Sequence, residues 1–150
     1  IETLPSFLIL AAIFGFDFLT PAQPLALIAA LILAFFYYLA LSIFIGLTAF
    51  WLKKNDGFKW VMIPVRNVLA GVLIPLTFFP EVAQRIFFFL PFQYIYYVPS
   101  TAYIGNYSLT SWDVTIWDSI IIGYAELLLV GALLIYAWQQ GIDNYEGVGV

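Results

Sequence analysis

Glu126 is the residue in this sequence whose placement most demands an explanation. It stands alone as a charge inside SIIIGYAELLLVGALLIYAW, residues 119–138. A carboxylate in the middle of an apolar run of that length is costly in a bilayer, about 2.5–3.5 kcal/mol for an aspartate on insertion scales, so it must face protein or water. Arg66, about one and a half turns into a separate apolar run, is the basic group positioned to reach it from an antiparallel neighbour. Such a pair reads as a charge in a transport path or a gating latch. It reads equally as a structural interhelical bond, or as a neutralised acid bonded to backbone. Glu81 and Arg85 stand four apart and can pair on one helix face. Asp113 and Asp118, five apart beside Trp112 and Trp117, read as solvated residues.

Catalytic chemistry is poorly supplied. The chain has no histidine and no cysteine, which removes imidazole, thiolate and disulfide chemistry. It has no paired carboxylates at helical spacing within an apolar run and no phosphate-cradling GxxxxGK[ST]. No catalytic, metal or cofactor site is expected in this chain, and no nucleic-acid partner.

The elements that hold these charges are set by the solvent. Hydrophobic residues make up 64% of the 150 and charged residues 9%, with a mean hydropathy of +1.00. Nine acidic and five basic side chains cannot cover a soluble core, so lipid must. The fold class expected is all-α and integral to the membrane, residues 1–150 forming part of a single transmembrane domain. The chain begins at Ile1 rather than Met and reads as part of a longer protein.

Four spans are expected. The first covers about 4–19. The second, about 21–52, has no charge in 32 residues, enough for about 48 Å of helix, with Thr20 as N-cap, Pro21 at the first helical position and Gln23 closing a capping box. Ser42 and Gly46 give it a small-xxx-small pair. KKNDGFKW, residues 53–60, follows as a polar turn, and four of the five basic residues (Lys53, Lys54, Lys59 and Arg66) gather at this end. By the positive-inside rule that end is cytoplasmic. The third span, about 60–79, carries Pro64, Gly71 and Pro75 as kinks, and the last covers about 114–138 between two aromatic belts.

Between them lies FFPEVAQRIFFFLPFQYIYYVP, residues 78–99. A helix from Pro80 to Leu90 covers only about 16 Å, half the hydrocarbon thickness, and Pro91 cannot continue it. Pro80 and Glu81 start one short helix; Pro99 is expected to start a second, closed by Gly105 and Asn106. The segment 80–105 thus reads as a re-entrant helical hairpin. The competing reading is one bent span across 80–104.

GVLIPLTFFP, residues 71–80, followed by LPFQYIYYVP, residues 90–99, and then Gly105, resembles the signature region of ABC-2-type transporter permeases. More narrowly it is similar to the group called ABC-2 family transporter protein. The Phe50-Trp51 end of the second span fits that group, whereas the acidic tail at Asp143 and Glu146 replaces the basic stretch that members often carry. The resemblance implies that these spans are the third to sixth of six, and that the hairpin lies on the outer side. It implies a permease subunit of an exporter in a prokaryotic plasma membrane, multi-pass, with a cytoplasmic C-terminus. Partners implied are an ABC ATPase subunit carrying ATP and Mg, a second permease copy or homologue, and membrane lipid. The loop of Lys53, Lys54, Asp56, Gly57, Phe58 and Lys59 would couple to the ATPase. Pro75, Pro80, Glu81, Arg85, Pro91, Phe92 and Pro99 would build the outer gate. A non-transporting structural subunit and a pore-loop channel are the alternatives.

Overall fold

A computed structural model describes residues 22–51, 56–109 and 112–143, and the regular structure among them is helical. Helix α1 is Pro24–Leu47, prolonged by a 3-10 turn at Thr48–Phe50; α2 is Asp56–Leu69; a second 3-10 turn covers Leu76–Phe78; α3 is Glu81–Phe88, α4 is Gln93–Ile104 and α5 is Ile116–Asp143. The expected span at 4–19 lies outside the described residues, as do Lys53 and Lys54.

Among the described residues two helices are long and apolar enough to cross a membrane, Pro24–Phe50 and Ile116–Ile142, each of 27 residues and so about 40 Å long. Large apolar side chains such as Leu25, Ile28, Phe35, Leu128, Leu129 and Leu133 point outward from them, the arrangement expected where lipid is the solvent. Helix α1 starts three residues later than its capping signals predicted. Pro24 takes the first turn and Gln23 makes no side-chain cap, while Thr20 and Pro21 lie outside the described residues. The reason is tertiary: the Ala22 N–H donates to the Tyr103 carbonyl at 2.9 Å, which ties the entry of α1 to the end of α4.

Helices α1 and α5 run parallel. The Tyr124 hydroxyl donates to the Ala29 carbonyl (3.0 Å), the Tyr37 hydroxyl to the Gly123 carbonyl (2.8 Å), and the Phe50 and Trp138 rings meet at 5.7 Å. Helix α4 lies against both and antiparallel to α1, its Tyr94 stacked on Tyr37 (4.9 Å) and its C-terminal end at Ala22. Helix α2 climbs beside α1 in the same antiparallel sense, Phe58 by Phe44 (6.3 Å) and Arg66 over Tyr38 (5.4 Å).

The third expected span is not one helix. Pro64 sits inside α2, but the helix stops at Leu69, and Gly71 and Pro75 lie beyond it rather than kinking it. Gly71 has φ +79°, its N–H donates to the Val68 carbonyl (3.1 Å) and the Val72 N–H to the Asn67 carbonyl (2.9 Å). That pair of bonds is a Schellman stop, which a left-handed glycine permits. Fourteen residues reach about 21 Å, short of the hydrocarbon thickness.

The short helices follow two of the three proline signals. Pro80 caps α3, and Pro91 lies in the turn before Gln93. Pro99 corrects the reading: it is inside α4, which starts six residues earlier at Gln93. A helix-interior proline costs about 3 kcal/mol. Here the packing of Tyr94, Ile95, Val98 and Ala102, all buried against α1 and α5, outweighs it. Gly105 closes α4 as expected, at φ +87°, its N–H donating to the Thr101 carbonyl (2.8 Å). A Cβ there would stand 2.6 Å from that of Ala22. Gly105→Ala is therefore expected to lower stability by at least ~1–2 kcal/mol, the cost of a left-handed alanine alone, read as an earlier thermal transition of the purified protein.

Candidate functional site

Ser119, Gly123 and Glu126 are spaced i, i+4, i+7 and share one face of α5. That face meets α4 and α1. Gly123 gives the closest approach: a Cβ at its position would lie 2.6 Å from both Leu33 Cδ2 and Tyr94 Cε1. The Tyr94 ring fills the space, stacked on Tyr37 at an interplanar angle of 14°. Tyr94 Oη and Ser119 Oγ are buried without a hydrogen-bond partner. Glu126 is half-buried on the same face and makes no hydrogen bond of standard geometry to the Tyr94 hydroxyl.

The expected contact between Arg66 and Glu126 is not made. Arg66 Nε and Nη2 donate to Asn67 Oδ1 (3.3 and 3.2 Å) and the guanidinium lies over Tyr38. Neighbouring positions on a helix diverge by about 100°. Tyr37 turns to α5 and Tyr38 to α2, so the two charges sit on different sides of α1.

The hairpin is held by an amide. Gln93 is fully buried; its Nε2 donates to the Phe88 carbonyl at 2.6 Å, and its Oε1 accepts from the Tyr107 hydroxyl at 3.1 Å. One side chain thus ties the end of α3, the start of α4 and the following loop. Burial pushes the Tyr107 phenol up from its ordinary value, which keeps it a donor at any physiological pH. Glu81 and Arg85 pair as expected, at 2.6 Å with both side chains about half exposed, and the Arg85 guanidinium also covers Trp112 at 5.7 Å. Exposed i,i+4 pairs contribute little, so Glu81→Gln is expected to cost less than ~1 kcal/mol, read on the same thermal transition.

Below the hairpin turn is a partly open cavity of about 450 Å³. Tyr37, Ala40 and Phe44 of α1, Pro91 and Phe92 of the turn, and Val130 to Ala137 of α5 wall it, with Met62 of α2 at its edge, and its lining is almost wholly apolar. Of the remaining residues singled out, Asp56 opens α2, Gly57 and Lys59 are exposed on its first turn, and Pro75 precedes the 3-10 turn at Leu76. No cluster of three metal-ligating side chains occurs among the described residues. Sequence reasoning had passed over Tyr37, Tyr94, Tyr107 and Ser119; the i, i+4, i+7 spacing of Ser119, Gly123 and Glu126 was the available signal.

Also at the α5 end, Thr115 and Asp118 form a reciprocal cap. Thr115 Oγ1 donates to Asp118 Oδ2 (2.7 Å) and accepts from the Asp118 N–H (3.2 Å). Asp118 thus starts a helix.

Comparison with curated proteins and with solved structures finds no match. The family model described as ABC-2 family transporter protein matches residues 2–149. That match spans the long parallel helices, the short pair between them and the residues that join them, and the chain belongs to the ABC-2 family transporter proteins, membrane permease components of ABC transporters.

Proposed function

We propose that this chain is the C-terminal part of the permease subunit of an ABC-2-type exporter, with the substrate path lined by two permease copies and ATP and Mg held by a separate ATPase subunit. The observation that carries the reading is the parallel packing of α1 and α5 with α4 antiparallel between them. Two parallel spans need a return crossing between them, and α2 with residues 70–79 supplies its direction. The pair α3 and α4 then enters and leaves on one side as a re-entrant hairpin, with Pro80, Pro91 and Phe92 shaping its outer gate. Irregular backbone is tolerated at membrane depth where protein shields it, and Gln93 satisfies the Phe88 carbonyl in that way.

With the Lys53–Lys59 turn in the prokaryotic cytoplasm, α1 and α5 start outside and the C-terminus is cytoplasmic. The turn is the ATPase contact. These 150 residues contain no cysteine, so each single cysteine is read against the same protein without it. Asn55→Cys is expected to react only from the cytoplasm and Ser108→Cys only from outside; labelling of Ser108→Cys from the cytoplasm would overturn the hairpin. Export itself is tested in vesicles holding the full permease and its ATPase. ATP-dependent movement of an amphipathic solute is expected, and hydrolysis that never couples to any solute defeats the exporter reading.

A further inference from the structure

We infer that the cavity beneath the hairpin turn is a binding site for a lipophilic monocation, with its apolar groups between α1, α5 and the turn and its charge drawn to Glu126. The inference rests on the exporter reading and names the solute class. Volume and lining come first: about 450 Å³ lies in the range of small-molecule sites, about 300–1,000 Å³. An almost wholly apolar wall offers no partners for the hydroxyls of a sugar or the amides of a peptide.

Charge then selects among apolar occupants. Val130 is on the cavity wall, and Glu126, one helical turn earlier on the same face of α5, stands above it. Tyr37 joins the two, because its ring lines the cavity and its hydroxyl donates to the carbonyl of Gly123 (2.8 Å), less than one helical turn before Glu126. No basic side chain among the described residues pairs with Glu126, since Arg66 is turned to Tyr38 and Asn67. Tyr94, fully buried with an unpartnered hydroxyl, packs its ring against Gly123 on the same face of α5 as Glu126. A carboxylate without a cation beside an apolar space attracts a positive guest and repels a negative one.

The test uses the full permease with its ATPase subunit, solubilised and without nucleotide. Equilibrium binding is measured for tetraphenylphosphonium and for tetraphenylborate, matched in shape and opposite in charge. Glu126→Gln is expected to weaken tetraphenylphosphonium by about tenfold, the scale of one charge interaction across a few ångströms of protein, and to leave tetraphenylborate unchanged or tighter. Leu134→Trp, which fills the cavity, is expected to weaken both. Val130→Lys sets an ammonium beside the carboxylate and should reproduce the selective loss, which keeps the test decisive if Glu126→Gln does not yield a monodisperse protein. Equal effects on both ions, or cation binding untouched by Leu134→Trp, would overturn the site. Because binding is read without nucleotide, a permease that binds the cation selectively but never exports it defeats the exporter reading and leaves the site standing. A working exporter with a charge-blind cavity defeats the site alone.

Discussion

Gly123→Leu is expected to abolish assembly of the three-helix core, and Gly123→Ala to destabilise it by ~1–3 kcal/mol, the usual cost of overpacking. The alanine methyl alone would approach Tyr94 Cε1 to 2.6 Å and Cδ1 to 2.9 Å. Leu33 Cδ2, at the same distance, is the far end of a flexible side chain and can turn away. The Tyr94 ring cannot, because it is fully buried and stacked on Tyr37, which is itself bonded to the Gly123 carbonyl. Relief therefore requires α4 to move away from α5. The measurement is the monodisperse fraction and thermal midpoint of the purified permease. Gly131, with nothing within 4 Å of a Cβ built on it, is the control in the same helix: Gly131→Ala should match the wild-type midpoint or exceed it, as alanine favours helix by ~1 kcal/mol over glycine. A Gly123→Ala protein as stable as its Gly131→Ala counterpart would contradict the packing described.

Gln93→Leu is the second large effect expected. The substitution keeps the volume of a buried side chain but strips the Phe88 carbonyl of its donor and the Tyr107 hydroxyl of its acceptor. Each buried polar group left unpaired costs ~1–3 kcal/mol, so a loss of ~2–6 kcal/mol is expected, concentrated where α3, α4 and the loop after Gly105 meet. In lipid no water is at hand to replace those bonds. The readout that separates this from a general loss of stability is local: a cysteine at Phe92, in the turn, should become several times more reactive in the Gln93→Leu background, while one at Ile135, exposed on α5, should not change. Tyr107→Phe removes one of the two bonds and should give a smaller shift in the same direction. Equal reactivity of the Phe92 cysteine in both backgrounds would show that the amide does not hold the hairpin.

Much of the local structure was legible because it is punctuated by residues whose backbones have few options. Pro80 and Glu81 start α3, Pro91 ends the possibility of a longer helix, and Gly105 supplies the left-handed residue that closes α4. The same rule misplaced the start of α4 at Pro99. A proline forbids one backbone hydrogen bond, but it does not forbid a helix whose other residues are held by neighbours, and α4 is the most buried of the short elements. The third span failed in the opposite way. Its apolar composition runs on to Phe79, whereas the backbone bonds to the Asn67 and Val68 carbonyls end α2 at Leu69, ahead of Gly71.

By itself the sequence determined the solvent, the two long helices and the interruption between them, since each follows from composition or from a residue's own covalent limits; the polar turn read at residues 53–60 gave way, from Asp56 on, to the first turns of α2. Which faces meet was decided only by the tertiary structure. In water, an apolar stripe marks the buried face of a helix; in lipid the side facing the tails is as apolar as the side facing protein, and that mark disappears. So nothing in the run from Pro24 to Phe50 announced that Tyr37 turns to α5 and Tyr38 to α2. That divergence separates Arg66 from Glu126 and leaves the carboxylate beside the tyrosines and the cavity. The sequence placed a charge at membrane depth, and close packing at Gly123 chose its neighbours.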